Sequence, residues 1–92
     1  MALLSGEEIE RRLAGLQWRR EGDALVRERA FPDFAAAIAF VNRVAEVAER
    51  VNHHPDILVH GWNKVRLALS THSQGGITES DFALAALLDE LP

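Results

Sequence analysis

Apolar residues recur with a helical period through the middle of the chain and with a strand period on both sides of it. After Pro32-Asp33 they return every three or four residues as far as Val51, which predicts the longest helix of the protein. Proline suits the first turn of a helix, and the acidic Asp33 suits its positive end. Two apolar stripes follow this helix, the first made of Phe34, Ile38, Val41, Ala45 and Ala48, the second of Phe40, Val44, Val47 and Val51.

Two apolar stripes give the helix more apolar surface than one contact with the core requires. One stripe is enough to cover the core of a small domain, and the second makes the apolar face wider than a small monomer needs. The extra width indicates either a subunit interface or a thicker core, and the sequence leaves both interpretations open.

Shorter patterns predict two pairs of strands around this helix. Segments 17–21 and 24–31 flank Gly22-Asp23, which is a turn signal between two strands. Segments 57–60 and 62–72 form the second pair, with Gly61 at a bend. The longer of these strands shows clear alternation, because Val65, Leu67 and Leu69 fall on one side and polar or small residues on the other.

Two capping boxes predict the starts of two further helices. Ser5-Gly6-Glu7-Glu8 opens a short helix that Gly15 ends, and Thr78-Glu79-Ser80-Asp81 opens the last one. The element order is therefore α-ββ-α-ββ-α. It predicts an α+β fold in which residues 1–92 form a single domain, a four-stranded antiparallel sheet with three helices packed on one face.

Composition narrows the class of protein. The 92 residues are 48% hydrophobic and 26% charged and include no cysteine, so disulfides and thiolate zinc sites are excluded. The net charge of -4 argues against direct binding of nucleic acid. The apolar segment 1–4 lacks the positive flank of a signal peptide, and no apolar run approaches the ~20 residues that span a bilayer. We expect a cytoplasmic protein that binds no membrane.

Three of the four histidines fall in two short segments at the ends of predicted elements. These segments are Asn52-His53-His54-Pro55 and Ser70-Thr71-His72. Histidine suits proton transfer near neutral pH, and element ends are where a scaffold presents reactive groups. Glu49 precedes His53 by four residues, so on a continuous helix its carboxylate would orient that imidazole.

Plainer interpretations of the same residues stay open. Any of these histidines would serve equally as a surface or capping residue, and Glu49 with His53 as a weak surface pair. Asp81 is explained by the capping box alone. Trp18 and Trp62 suit the core or a sheet edge as well as a ligand platform.

A zinc site is the alternative chemistry. Its candidate ligands are His53, His54, Asp56, His60 and His72. Their spacing matches no common metal motif, and adjacent histidines rarely reach the same ion. We therefore expect no metal.

The histidine segments also belong to a longer pattern. Five elements follow one another in order: residues 49–55, 62–65, 69–72, 75–78 and then Asp81. Together they resemble the pterin-4a-carbinolamine dehydratase family, whose pattern has a charged residue before His-His-Pro, an aromatic residue, a further histidine and an aspartate. Trp18 and the segments 24–31 and 34–48 resemble the first hairpin and long helix of that family, so the resemblance covers almost the whole chain.

The resemblance implies an architecture and a reaction. The architecture is a four-stranded antiparallel sheet with helices on one face, assembled into homodimers or homotetramers. The reaction is dehydration of a 4a-hydroxytetrahydropterin to the quinonoid dihydropterin, with no metal or organic cofactor. That step recycles the pterin used by aromatic amino acid hydroxylases, so such a hydroxylase is an expected partner in the same pathway.

The resemblance also implies the site residues. His53, His54 and His72 fall on the active-site histidines, and we take His53 and His72 to share the proton transfers while His54 binds the leaving hydroxyl. The residues assigned to substrate binding are Glu49, Ser70, Thr71, Trp18 and Asp81. The segment between His54 and Trp62 is one residue longer than in some members, which leaves the pocket rim over 56–61 undefined.

A non-catalytic role is the second hypothesis. Some relatives of this family act as dimerisation cofactors for a transcription factor or as assembly factors for other enzymes. A helix with two apolar stripes would suit that role. The complete histidine set favours the enzyme, because a scaffold does not need it.

Overall fold

The computed structural model describes residues 2–92, so Met1, the first residue of the segment considered above as a signal peptide, lies outside the described residues. The elements are α1 (Gly6–Leu13), β1 (Arg19–Glu21), β2 (Ala24–Ala30), α2 (Phe34–Val51), β3 (Asp56–His60), β4 (Lys64–Leu69), a 3-10 turn (His72–Gln74) and α3 (Glu79–Asp89). The predicted order α-ββ-α-ββ-α is confirmed. Within the described residues, no helix is both long enough and apolar enough to cross a bilayer.

The four strands form one antiparallel sheet in the order β1-β2-β4-β3. The central strand β4 places Val65, Leu67 and Leu69 on the covered face, where each is at most 2% exposed. The alternation predicted from the sequence therefore belongs to a strand with one face packed under helices and the other open, and this strand lies inside the sheet, between β2 and β3.

The predicted strand over 62–72 is too long at both ends. Gly61 and Trp62 both have positive φ and form the turn from β3 into β4, so the strand begins at Lys64. At the other end the chain leaves the sheet after Leu69 and closes a loop on itself, in which the Thr71 amide donates to the Gly76 carbonyl at 2.7 Å. At both ends of β4, backbone hydrogen bonds within a turn replace hydrogen bonds between strands.

The two predicted capping boxes have different outcomes. Thr78 and Asp81 form the complete reciprocal box at the start of α3. At α1 only half of the box forms, because Ser5 accepts a hydrogen bond from the Glu8 amide while the Glu8 side chain accepts one from Arg11. A nearby guanidinium competes successfully for an exposed carboxylate.

The two stripes of α2 are used differently. Phe40, Val44 and Val47 of the second stripe are at most 5% exposed and form the core with the sheet and α3. The second stripe therefore faces the core, except for Val51 at its end, which is 40% exposed. The first stripe is only partly covered, and Phe34 at its start is 54% exposed.

Phe40 anchors this core. Its ring lies 5.0 Å from that of Phe31, and the Arg29 guanidinium lies 4.6 Å from its centroid. Replacing Phe40 by alanine should lower the free energy of unfolding by about 3–5 kcal/mol, since it removes a buried ring and leaves a cavity. Urea denaturation followed by circular dichroism measures the change.

Phe34→Ala is the matched control, because it makes the same change on the same helix at an exposed position. It should alter the free energy of unfolding by about 0.5 kcal/mol or less. Equal losses for the two variants would show that the assignment of the core stripe is wrong.

Candidate functional site

The first wall of the site begins where α2 ends. Asn52 adopts the left-handed conformation, with φ 54° and ψ 43°, and its backbone N–H closes the helix on the carbonyls of Ala48 and Glu49. Asparagine tolerates this conformation better than other side chains with a Cβ. The helix therefore ends at Val51, with Asn52 as its cap, and the chain turns towards β3 at His53.

The sheet register brings the second wall beside the first. β3 and β4 are antiparallel neighbours with Asp56 paired to Ala68. Residues that precede β3 therefore lie next to residues that follow β4. This topology brings His53 and His54 close to His72, although about twenty residues separate them in the sequence.

These two segments enclose a cleft of about 310 Å³. This volume lies at the small end of the ~300–1,000 Å³ range typical of small-molecule sites. The lining residues are Asn52, His53, His54, Pro55, Asp56, Ser70, Thr71, His72 and Ser73. All three predicted catalytic histidines therefore line one cleft, as do Ser70 and Thr71.

His53 is held by a carboxylate that does not belong to its own helix. Its Nε2 lies 2.6 Å from Oδ1 of Asp81, in the first turn of α3. Asp81 is completely buried, while the His53 side chain keeps 19% of its surface exposed. The pair therefore spans from the protein interior to the wall of the cleft.

The predicted pairing of Glu49 with His53 is wrong. The Glu49 carboxylate instead hydrogen-bonds Nε2 of His54, and both side chains are more than half exposed. The reason is the left-handed Asn52, which breaks the helical spacing before it reaches His53. Exposed ion pairs of this kind contribute about 0–1 kcal/mol, so this contact orients His54 only weakly.

Asp81 is bound by further donors on its other oxygen. Its Oδ2 accepts hydrogen bonds from the Thr71 hydroxyl and the Thr78 amide, both at 2.9 Å. The hydroxyls of Thr71 and Thr78 lie 2.8 Å apart. The capping interpretation of Asp81 is thus correct but incomplete, because the same carboxylate also binds an imidazole of the cleft.

Three residues predicted to bind substrate do not line the cleft. Glu49 and Asp81 contact it only through His54 and His53, respectively. Trp18 is 4% exposed, and its indole nitrogen donates to Asp89 at the end of α3, 2.8 Å away. Trp18 belongs to the buried core and lies directly before the start of β1 at Arg19.

The sequence reasoning missed the roles of two residues. Asn52 positions both neighbouring histidines, and an asparagine directly after a helical pattern is a known signal for a left-handed cap. Thr78 contributes its hydroxyl to the Asp81 cluster from a fully buried position. No sequence pattern marks that second contact, since a capping threonine looks the same with or without it.

His72 differs from the other two histidines. It is exposed at the start of the 3-10 turn, and no side chain among residues 2–92 hydrogen-bonds its ring. Its imidazole is therefore free to meet a ligand, and its orientation is set by the backbone of the Thr71–Gly76 loop.

The other side of His53 faces a second, more apolar cleft of about 200 Å³ between α2 and α3. Its lining residues are Val51, His53, Ser80, Ala83, Leu84 and Leu87. His53 therefore borders both a polar cleft and an apolar one.

The histidines are not arranged as metal ligands. Among residues 2–92, no three His, Asp or Glu side chains come together in a way that would hold an ion. His60, one of the candidate zinc ligands, lies on β3 and binds Glu28 across the open face of the sheet at 2.8 Å.

Comparison with known proteins gives a consistent result. The family model for pterin 4 alpha carbinolamine dehydratase matches residues 2–91. A protein of Thermomicrobium roseum with the provisional name of a pterin-4-alpha-carbinolamine dehydratase is 60% identical over 74 residues, covering 80% of this chain and 78% of its own.

Two solved structures share the fold. One, from Brucella melitensis, is described as a transcriptional coactivator/pterin dehydratase; it has a TM-score of 0.86 and 31% identity, with 95% of each chain covered. The other is a pterin dehydratase-like protein identified as a RuBisCO assembly factor in the alpha-carboxysome. It has a TM-score of 0.66 and 29% identity, covering 82% of this chain and 88% of its own.

The left-handed cap gives a test of how the first wall is built. Asn52→Val should lower the free energy of unfolding by about 1–2 kcal/mol relative to Asn52→Gly, because a β-branched residue is strained at positive φ and glycine is not. Urea denaturation of the two variants measures the difference. Equal stabilities would contradict the left-handed conformation at this position.

Proposed function

This chain belongs to the pterin-4a-carbinolamine dehydratase family, and from that membership we propose that it dehydrates a 4a-hydroxytetrahydropterin to the quinonoid dihydropterin. The observation that carries the proposal is the convergence of His53, His54 and His72 on one cleft. Proton transfer is the only chemistry that this reaction requires, and imidazoles are the groups best suited to it near neutral pH.

The reaction needs an acid and a base in the same small site. The bond between C4a and its hydroxyl oxygen breaks, and the hydroxyl gains a proton to leave as water. The proton on N5 is removed, and its electron pair forms the new double bond between N5 and C4a. No atom is oxidised or reduced, so the step needs no redox cofactor. In the proposal, His53 and His72 share these two transfers and His54 binds the leaving hydroxyl.

The cleft suits a flat, polar ring system. Its volume of about 310 Å³ and its mixed lining match a small heterocycle with several donors and acceptors. Ser70 and Thr71 lie on the wall opposite the paired histidines and supply hydroxyl and backbone groups for the pterin ring. Asp81 supports this site from the interior through its hydrogen bond with His53.

The wider setting of the proposal follows from the family. We expect a homodimer or homotetramer in the cytoplasm, acting in the same pathway as an aromatic amino acid hydroxylase. The partly exposed first stripe of α2, which begins at Phe34, offers apolar surface for self-association.

A non-catalytic role is the second candidate. It is favoured by the similarity to a protein identified as a RuBisCO assembly factor and by exposed apolar residues on α2 such as Phe34 and Val51. The two candidates differ in what they need from the cleft, since an assembly factor needs neither a pterin nor free imidazoles.

Substitution of the histidines tests the enzymatic proposal. His53→Ala and His72→Ala should each lower the turnover of a 4a-hydroxytetrahydropterin by about 10²–10⁴, the usual contribution of one general acid or base. Turnover is followed from the absorbance of the quinonoid product in a coupled hydroxylase assay, and circular dichroism verifies that each variant is folded.

His60→Ala is the control, because this histidine lies on the open face of the sheet and pairs with Glu28 away from the cleft. Its turnover should stay within about twofold of the wild type, since general acid–base effects need contact with the substrate. A folded wild-type protein with no dehydratase activity would discard the enzymatic proposal in favour of the second candidate.

A further inference from the structure

We propose that Arg29 and Arg43 form a second binding site, separate from the cleft, which takes a small oxyanion with two negative charges, such as a phosphate group. Arg29 belongs to β2 and Arg43 to α2, and both guanidiniums contact the segment 91–92 that follows α3. The site is independent of the dehydratase reaction, because it uses none of the residues that line the cleft.

The sheet register places this site away from the cleft. Arg29 pairs with Val65 near the start of β4, whereas the cleft is lined by residues that follow Leu69 at its end. Four residues of a strand separate Val65 from Leu69, a distance of about 13 Å. Directly paired residues of an antiparallel sheet share a face. Arg29 therefore lies with Val65 on the covered face, under the helices.

Two aromatic rings hold the guanidinium of Arg29 in place. Its central carbon lies 5.1 Å from the ring centroid of Phe31 and 4.6 Å from that of Phe40. Such contacts use the flat face of a guanidinium and leave its N–H groups available. Within residues 2–92 one of these groups donates, to the Leu91 carbonyl at 3.2 Å. The other N–H groups of Arg29 remain for an acceptor of another kind.

Arg43 contains a buried donor that lacks an acceptor. No atom of the described residues accepts a hydrogen bond from its Nε, which is screened from solvent. Another nitrogen of the same guanidinium donates to the Pro92 carbonyl at 3.4 Å, longer than the usual N–H···O distance of about 2.7–3.2 Å. A buried donor without a partner is unfavourable, so a ligand that offered Nε an acceptor would be stabilised there.

The charges around the two arginines do not balance. A third guanidinium, that of Arg27, forms an ion pair with Asp89, but no carboxylate side chain within residues 2–92 pairs with Arg29 or Arg43. Burial, and after it the charges of Arg27 and Arg43, lower the pKa of Arg29, as expected where cations outnumber anions. Three positive charges face one negative charge, and the difference is the charge of a phosphate dianion.

The end of α3 does not explain why these two arginines lie here. Cations are favoured beside the free carbonyls at the end of a helix. The carbonyls of Leu87 and Leu88 already accept hydrogen bonds from the amides of Glu90 and Leu91. The two arginines contact carbonyls of the segment 91–92, beyond the helix. A guanidinium matches the paired oxygens of an oxyanion better than a single neutral carbonyl, which favours an oxyanion as the ligand.

Thermal unfolding in inorganic phosphate, at constant ionic strength, tests the site. At about ten times its dissociation constant, phosphate should raise the Tm of the wild type by about 5–10 °C, and the rise should saturate. Phosphate also stabilises proteins by exclusion from their surface, but that effect does not saturate. Arg29→Gln and Arg43→Gln should each remove the saturable part of the rise.

Arg50→Gln is the matched control, because Arg50 lies on the same helix at an exposed position and has no partner among the described residues. This variant should keep the saturable rise of the wild type. A purely structural role of Arg43 predicts that Arg43→Gln loses the same Tm with and without phosphate. That result, or a saturable rise retained in Arg43→Gln, would overturn the proposal.

NMR of the arginine Nε–H groups tests the site in the unaltered protein, so it holds even where a variant does not fold. On titration with inorganic phosphate, the Arg43 signal should shift with the same half-saturation as the rise in Tm, while the Arg50 signal stays in place. Equal shifts of the two signals, or none in either, would contradict a site at Arg43.

Three probes distinguish the sources of the oxyanion. Binding of glycerol phosphate about tenfold tighter than that of inorganic phosphate would identify the phosphate group of a larger metabolite as the ligand, and weaker or equal binding would identify the free ion. Acetate, with one charge, should bind at least about tenfold more weakly than phosphate, and equally tight binding would overturn the assignment of a doubly charged ligand. None of these measurements uses dehydratase activity, so failure of this site leaves the enzymatic proposal unchanged.

Discussion

The hydrogen bond between His53 and Asp81 is the interaction on which the site depends. It joins the end of α2 to the first turn of α3, across 28 residues of sequence. A buried carboxylate is costly unless its hydrogen bonds are satisfied, so the position of Asp81 requires the donors around it. Those donors come from the α3 cap and the loop after β4 as well as from His53. One carboxylate thereby ties together three segments that meet at the cleft.

The sheet register supplies the other half of the arrangement. Because β3 and β4 pair in antiparallel fashion from Asp56 to His60, the segment entering one strand lies beside the segment leaving the other. The cleft is the space between these two segments, beyond the last ladder pair, where the backbone is free to turn. Its walls are therefore placed by the backbone hydrogen bonds of the sheet together with the side-chain contacts of Asp81.

Most helices and strands could be predicted from the sequence, because each is marked by a pattern within its own residues. The period of α2, the alternation of Val65, Leu67 and Leu69, and the Thr78 cap are local signals, and each is confirmed by the structure. Predictions that relied on spacing beyond an element failed. Glu49 binds His54 because a single left-handed residue ends the helix, and Asp81 reaches His53 through a tertiary contact that no spacing rule describes. The sequence therefore predicts which histidines line the cleft better than it predicts which carboxylates hydrogen-bond them.

The two uses of Asp81 bear on how a fold of this family can serve both catalytic and non-catalytic relatives. The His72 side chain has no hydrogen-bond partner among the described residues, so its replacement would take an imidazole from the cleft without removing a side-chain hydrogen bond from the fold. Asp81 is different, because the capping box of α3 needs its carboxylate whether or not an imidazole is bound to it. The exposed imidazole of His72 is thus separable from the scaffold, while the carboxylate that binds His53 is part of it. An aspartate at the position of Asp81 is therefore a poor indicator of dehydratase activity in a relative, because the fold needs it in any case. A histidine at the position of His53 is a better indicator, because the cap does not need it.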